Sequence, residues 1–124
     1  MTTPLPRLHN CQPVPLAEVP YLLPEDFRAA LLSEVRRGGR IVALFGQAEA
    51  SGLRRWAVVA HRAEGRLAVL SGPLPDRYPA LTPDCPQVHW FEREIAEQWG
   101  VRPEGHPWLK PIRFHAGYRA GHDA

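Results

Sequence analysis

The sequence predicts a two-layer α+β domain in which a helix, three mainly antiparallel strands and a second helix lie between extended N- and C-terminal arms. Two segments repeat apolar residues at helical spacing, three short apolar runs lie between them, and prolines are concentrated towards the ends. A chain of 124 residues suits one domain with a modest core. We therefore expect a single domain over 1–124, with an arm (1–23), a core (24–100) and a tail (101–124).

The N-terminal arm contains prolines at positions 4, 6, 13, 15, 20 and 24, which remove backbone donors and restrict φ. We expect an extended or irregular segment with room for one short edge strand. Its apolar residues, among them Val14, Val19 and Leu22, indicate that it packs on the core, whereas a disordered arm is the alternative.

The segment PEDFRAALLSEVRRGG (24–39) is typical of a helix. Pro24 suits the first turn, acidic residues follow it at the positive end of the helix dipole, and Gly38 and Gly39 provide the stop. One apolar face, which we assign to the core rather than to a cofactor site, consists of Phe27, Ala30, Leu31 and Val35.

Three β-rich runs follow, at 40–46, 53–61 and 66–72. The short connection between the last two predicts a hairpin, and the segment QAEASG favours another antiparallel pair between the first two. A proline-rich loop, PLPDRYPALTPDCP (73–86), then leads to the second helix.

The second helix is predicted from Pro86 to Trp99, because Gly100 can end it with a positive φ and several prolines follow. Its buried stripe consists of Val88, Phe91, Ile95 and Trp99. The opposite side is charged and carries Glu92, Arg93, Glu94 and Glu97, with Arg93 and Glu97 paired four residues apart.

Two of these acids, Glu92 and Glu94, are separated by two positions and so point to different sides of the helix. They therefore do not converge as an acid/base couple. We expect one of them to be buried against an arginine and the other to lie on the surface.

Composition does not favour nucleic acid or a membrane as a direct partner. The net charge is +2, the arginines are scattered, Lys110 is the only lysine, and no nucleic-acid-binding motif accompanies them. No apolar run reaches the roughly 20 residues of a membrane span. The N-terminal MTTPLPRLHN lacks the apolar core of a signal peptide, so we expect a cytoplasmic location without membrane insertion.

The cysteines and histidines form no recognisable catalytic or metal-binding pattern. Cys11 and Cys85 are far apart, and a reducing compartment favours two free thiols. Cys85 precedes His89 by four residues but lacks the local signature of a thiol nucleophile. The six histidines, at 9, 61, 89, 106, 115 and 122, form no HxH or HExxH motif.

Two histidines have an expected structural position. His61 is placed at a partly exposed strand end, and His106 in a rigid turn where it can hydrogen-bond backbone carbonyls. No glycine-containing segment matches a phosphate-binding loop, and two cysteines are too few for an iron–sulfur cluster. We expect no catalytic, cofactor-binding or metal-binding residue in this chain.

The segment Trp90–Phe114, WFEREIAEQWGVRPEGHPWLKPIRF, resembles the signature of the 30-kDa subunit family of respiratory-chain complex I. The matching positions are Trp90-Phe91, Glu92-Arg93-Glu94, Trp99-Gly100 and Gly105-His106-Pro107-x-Leu109. Over the preceding residues only the order of helix and strands agrees. The segment EGHPWLKPIRF looks closer to the branch of the family associated with membrane-bound [NiFe] hydrogenases and formate hydrogenlyases.

The resemblance implies a subunit without its own cofactor on the cytoplasmic side of a membrane complex. It would dock a large subunit, of the 49-kDa or hydrogenase type, beside an iron–sulfur subunit. The metal-binding cysteine pairs of a hydrogenase large subunit are missing here. Partner subunits would therefore carry the [NiFe] or iron–sulfur centres and any quinone site.

Within this segment, aromatic residues suggest how docking is achieved. Tryptophans and phenylalanines of the kind found in interface cores lie at Trp90, Trp99, Trp108 and Phe114. We assign Phe91 and Trp99 to the core, and Trp108, Leu109, Ile112 and Phe114 to an interface, because the tail is too short to bury itself. Gly105 and its flanking prolines are expected to turn the tail stiffly away from the domain.

We therefore expect a non-catalytic assembly subunit of an oxidoreductase complex. One alternative is an independent arginine-rich module that binds nucleic acid or an acidic protein. Another is an enzyme with Cys85 or a histidine at its centre.

Overall fold

The computed structural model describes residues 5–114, 116–119 and 121 of the chain. Within them, the helices are α1 (Pro24–Arg36) and α2 (His89–Trp99), and the strands are β1 (Arg7–Leu8), β2 (Arg40–Glu49), β3 (Gly52–His61), β4 (Arg66–Pro73), β5 (Arg77–Pro79) and β6 (Arg102–Glu104). Short 3-10 turns cover Leu16–Glu18 and Pro86–Val88. The predicted α+β class, with one helix before and one after the sheet, is confirmed. Pro4, His115 and His122 lie outside the described residues.

The main sheet is antiparallel, with strand order β1-β4-β3-β2. The predicted hairpin between the second and third β-rich runs is present as β3 and β4. Strand β2 is longer than expected, since the ladder continues through Gln47↔Arg54 to Glu49↔Gly52. The segment QAEASG was predicted to be a connection, but most of it is strand, because the positive φ of Gly52 allows a tight turn.

The N-terminal arm packs on the domain and adds the edge strand that its prolines allow. Arg7 pairs with Ala68, and Leu8, Val19 and Leu22 are buried. The arm crosses β4 at Gly72, where a Cβ atom would lie 2.0 Å from the carbonyl oxygen of Leu22. A glycine at this position is therefore required for the close approach of the two backbones.

The segment 73–86 was predicted to be a loop, but it contains a short strand. β5 pairs in parallel with β6, in the register Tyr78↔Pro103. Three-residue strands containing prolines carry no periodic signal, which is why the sequence did not indicate this pair. The pairing places the start of the tail beside the loop that precedes α2.

Both helices contribute to one core with the inner face of the sheet. Phe27 and Leu31 of α1 and Ile95 of α2 are buried in it, and Phe91 and Trp99 pack against it while partly exposed. The predicted apolar stripes of the two helices are thus confirmed.

His61 was expected at a partly exposed strand end, and that expectation is wrong. Alternation along β3 turns it to the helix side of the sheet, where it is only 5% exposed. Its Nε2 lies 2.9 Å from Oε1 of Glu34, which also accepts a bond of 2.5 Å from Arg7. Glu34 therefore joins the N-terminal arm, α1 and β3.

Burial alone would raise the pKa of Glu34. Hydrogen bonds from Arg7 and His61, with the charges of these two residues, outweigh burial and hold the pKa below its ordinary value. Because the folded-state pKa is depressed, the stabilisation is fully present above the ordinary pKa and is lost as the pH falls through the lowered one.

We predict that Glu34→Gln lowers the free energy of unfolding by about 1–3 kcal/mol at pH 7. The difference from the unchanged protein should shrink as the pH falls below the ordinary carboxyl pKa of about 4.3 and through the lowered pKa of native Glu34. Urea denaturation at several pH values measures both effects. The exposed Glu64→Gln serves as control, and a difference that does not depend on pH would contradict the prediction.

Candidate functional site

The segment that carries the family resemblance forms α2, the turn at Gly100, β6 and a tail. Gly100 has φ 65° and its N–H donates to the carbonyl of Ala96, so it ends the helix as predicted. Gly105, with φ 82°, forms the next turn. The tail was predicted to turn away from the domain, but this is wrong, because it folds back and is bonded to the outer side of α2.

Glu92 was placed on the charged side opposite the buried stripe, but this is wrong, because it lies on the inner side of α2 and is fully buried. Its carboxylate accepts hydrogen bonds from the Tyr78 hydroxyl (2.8 Å), the Leu81 N–H (2.9 Å), and both the N–H (2.8 Å) and the hydroxyl (2.6 Å) of Thr82. The Glu92 carboxylate therefore acts as the hydrogen-bond acceptor for N–H groups of the loop after β5, in place of backbone carbonyls. A carboxylate with four such donors is structural, because its lone pairs are already engaged.

Arg55, on the inner face of β3, is the buried cation of this region. Its guanidinium carbon lies 4.0 Å from the ring centre of Phe27 and 4.8 Å from that of Tyr78. Burial lowers the pKa of Arg55, and the nearby Tyr78 and Glu92 partly offset this effect. Burial and the charge of Glu92 raise the pKa of Tyr78 well above its ordinary value, so the phenol keeps the proton that it donates.

Glu94, two positions after Glu92, is partly exposed and pairs with Arg113 at 2.8 Å. The expectation that one of these two acids is buried and the other lies at the surface is thus confirmed. The buried member, Glu92, acts on the pKa of the buried Arg55 and raises it.

Arg93 binds the tail. Its Nε donates to the carbonyl of Lys110 (2.8 Å), and one terminal nitrogen donates to the carbonyl of Pro111 (3.1 Å). The guanidinium lies 5.0 Å from the ring centre of Trp90 and 5.1 Å from that of Trp108. Although it was placed on the outer side of the helix, Arg93 is only 7% exposed, because tail and indoles cover it.

Glu97 binds the next part of the tail. Its carboxylate accepts hydrogen bonds from the backbone N–H groups of Ile112 (3.1 Å), Arg113 (2.9 Å) and Phe114 (2.8 Å). The predicted pair with Arg93 is not among the ion pairs of the described residues, since each side chain bonds tail backbone instead. No sequence signal distinguishes a helix-face charge that meets solvent from one that meets backbone.

The Gly-His-Pro turn is also tied to α2. The N–H of Trp108 donates to Nδ1 of His106 (3.1 Å), so Nε2 carries the proton and faces the carbonyl of His89 (3.3 Å). The predicted bond from His106 to a backbone carbonyl is confirmed. This contact fixes Trp108 beside the first turn of α2.

Outside this framework lies a surface that we call the aromatic patch, formed by His89, Trp90, His106, Trp108 and Lys110. Trp90 is 63% and Trp108 54% exposed. The rings of His89 and His106 are 4.9 Å apart, and the Lys110 ammonium lies 5.3 Å from the Trp108 ring. Burial, with His106 and Arg93, lowers the pKa of His89.

Further apolar residues extend the aromatic patch along the tail. Leu109 is 38% and Phe114 80% exposed, whereas Ile112 is partly buried. A groove of about 370 Å³ lies between the tail and the end of α2 and is lined in part by Ala96, Val101 and Pro111. Of the residues predicted for an interface, the structure brings Trp90, His106 and Trp108 together in the aromatic patch. Leu109 and Phe114 are exposed farther along the tail, and Glu92, Arg93 and Gly100 belong to the supporting framework.

The cysteines do not form a reactive site with the histidines. Cys85 is buried and Cys11 exposed, and both are free thiols. Burial raises the pKa of Cys85, which disfavours a thiolate, and His89 lies instead beside His106. Across the described residues, no group of three or more histidines, cysteines and acids is arranged to hold a metal ion.

None of the described helices has the length and apolar character needed to span a membrane.

Comparison with known proteins identifies relatives. The family model for the respiratory-chain NADH dehydrogenase 30 Kd subunit matches residues 25–122. The C subunit of the NADH-quinone oxidoreductase of Ruegeria pomeroyi is 39% identical over 44 residues, which cover 36% of this chain. The matched segment spans 22% of that relative's length.

We predict that Glu92→Gln lowers the free energy of unfolding by about 3 kcal/mol, because an amide would direct its NH2 group at buried donors. Glu94→Gln removes only a partly exposed ion pair and should cost less than about 1 kcal/mol. Urea denaturation at pH 7 compares the two variants. Equal losses would show that the bonds of Glu92 do not stabilise the fold.

We predict that Glu97→Ala releases the tail without unfolding the domain. The backbone amides of Ile112, Arg113 and Phe114 should exchange at least tenfold faster with deuterium, because they lose their acceptor. Glu94→Ala is the matched control, since it breaks the side-chain pair of Arg113 and leaves these amides bonded. Unchanged exchange in Glu97→Ala would rule out the proposed bonding of the tail.

Proposed function

The chain belongs to the respiratory-chain NADH dehydrogenase 30 Kd subunit family, and from this premise we propose that it is a non-catalytic structural subunit of a multisubunit oxidoreductase complex. It docks a large subunit of the 49-kDa or hydrogenase type next to an iron–sulfur subunit. The observation that carries the docking role is the aromatic patch, held in place by Arg93 and Glu97.

The aromatic patch has the chemistry of an interface core. Tryptophan and arginine are enriched among residues that dominate binding energies, and here a nearly buried guanidinium lies between two exposed indoles. Because the tail is already bonded to α2, little conformational entropy is lost when a partner covers it. Contiguous exposed apolar side chains of this kind are typical of surfaces that bind protein.

The acids and histidine of the motif support this role rather than catalysis. Glu92 and Glu97 bind backbone and side-chain donors, Glu94 pairs with Arg113, and His106 links Trp108 to α2. We propose that redox centres, whether iron–sulfur clusters or [NiFe], and any quinone site belong to partner subunits. The chain would then lie on the cytoplasmic face of the membrane as a peripheral part of its complex.

Two kinds of complex contain relatives of this family, the NADH:quinone oxidoreductases and the group-4 [NiFe] hydrogenases. The segment EGHPWLKPIRF resembles the hydrogenase branch, whereas the relative from Ruegeria pomeroyi is an NADH-quinone oxidoreductase subunit. The large subunit that accompanies the chain decides between them. A [NiFe]-type large subunit assigns it to the hydrogenase branch.

The alternative predicted from the sequence was an arginine-rich binding module. Two of the arginines on which it depended are engaged in contacts within the domain. Arg54 lies 4.1 Å from the Trp56 ring centre and bonds Ser71, and Arg55 is buried. These arginines serve packing within the sheet and are not available to a polyanion.

We predict that Trp108→Ala weakens binding to the large subunit about 30-fold or more, since truncation of a central interface tryptophan costs on the order of 2 kcal/mol or more. The measurement is co-purification of the tagged full chain from its native source, with identification of the accompanying chains. Leu16→Ala is the control, because Leu16 is 68% exposed on the N-terminal arm.

Circular dichroism of both variants checks that each remains folded. Undiminished recovery of the large subunit with Trp108→Ala would show that docking does not use the aromatic patch. A stoichiometric flavin or metal in the purified chain alone would contradict the proposed non-catalytic role.

A further inference from the structure

Gln98, in the last turn of α2, has an unsatisfied side chain. It is 1% exposed, and neither its amide nitrogen nor its amide oxygen has a hydrogen-bond partner among the described residues. Buried polar groups in folded proteins are almost always paired, so an orphan of this kind calls for an explanation. A donor and an acceptor on the same group are both unused.

Gln98 is one of the residues that border a crevice of about 190 Å³ between α2 and β2. It is lined by Leu44, Phe45, Gly46, Ile95, Trp99 and Tyr118, with Glu94 at one side. Phe45 is 45% exposed, which places the crevice at the surface. A Cβ atom on Gly46 would lie 2.8 Å from Nε1 of Trp99, so this glycine allows the indole to lie against the strand.

The crevice lies along a sheet edge. β2 is the last strand in the order β1-β4-β3-β2, and no strand pairs with its outer side in the described part of the chain. The N-terminal end of β2 is protected from pairing with another strand, because a bulge lies between Ile41 and Ala43 and the Ile41 N–H donates to the side chain of Gln87. The remainder contains neither proline nor lysine, the usual devices that keep an edge from pairing.

We propose that this crevice receives an extended segment of a partner protein, which pairs with the outer edge of β2 near Phe45 and is bonded by the carboxamide of Gln98 once that side chain turns towards it. A residue in an extended chain presents its N–H and C=O on the same side. The carboxamide of Gln98 matches that pair with one acceptor and one donor, so the N–H and C=O of a single residue satisfy both. An aliphatic ligand would leave both groups of the amide unpaired, and a ligand that only donates or only accepts would leave one of them unpaired.

Addition of a strand to an exposed edge is an established mode of peptide recognition, in which backbone bonds supply affinity. The crevice uses a different side of α2 from the aromatic patch. The proposal therefore stands or fails independently of the docking function.

The isolated chain provides the first test. If the amide of Gln98 is unsatisfied in the free chain, replacing the residue with leucine removes two unpaired polar atoms. The melting temperature should then be unchanged or higher. If ordered water already satisfied the amide, Gln98→Leu would lower the melting temperature, and the proposal would be overturned.

The second test measures binding with the full chain and a defined probe, the peptide acetyl-Thr-Val-Thr-Val-Thr-amide. In ¹H–¹⁵N NMR titrations we expect saturable shifts of the Gln98 side-chain amide and of backbone amides in 44–47. Gln98→Leu should weaken this binding at least tenfold, and Gln98→Glu, which lacks the donor, should weaken it as well. Trp108→Ala should bind the probe like the unchanged chain.

Three results overturn the proposal. The first is no shift up to the solubility limit of the peptide. The second is a shift that persists in Gln98→Leu. The third is the same set of shifts appearing on raising the protein concentration without peptide, which assigns the edge to a second copy of this chain.

Discussion

The buried carboxylate of Glu92 is the contact on which the arrangement of the candidate site depends. It binds four donors from the segment Tyr78–Thr82 and so fixes the loop after β5 against α2. With the loop fixed, β5 lies where β6 can pair with it, and the chain leaves β6 beside the helix from which it came. A buried charge is tolerated because its donors replace water, and loss of one partner would leave it uncompensated.

Consecutive charged residues on α2 perform different tasks because a helix rotates by about 100° per residue. Glu92 points inward to the loop, Arg93 outward to tail carbonyls, and Glu94 to a surface arginine. Glu97, one turn after Arg93, continues the attachment by accepting tail N–H groups. The Glu-Arg-Glu run therefore joins α2 to the loop after β5 and to the tail. These contacts hold the exposed indoles in place.

Local structure was predictable where the signal was local. The capping glycines, the apolar stripes of both helices and the hairpin of β3 and β4 follow from periodicity and turn chemistry within short windows. The folded-back tail, the β5–β6 pair and the burial of His61 depend on residues distant in sequence, to which periodicity is insensitive. The spacing of Arg93 and Glu97 supported an ion pair between them. The backbone of the tail instead offers each side chain two or three hydrogen bonds, which stabilise more than one exposed ion pair would.

Comparison of the buried polar side chains of α2 shows why an unsatisfied group is found at Gln98. Glu92, Arg93 and Glu97 are charged, and each is bonded to loop or tail within this chain. A charge left without partners on burial would destabilise the fold by several kcal/mol, and these three side chains have their partners within the chain. A neutral amide left unpaired costs only about 1–3 kcal/mol, which a folded domain can tolerate until a partner arrives. A glutamine is thus the kind of residue that can remain buried in the free chain and still offer two directional bonds to an incoming strand.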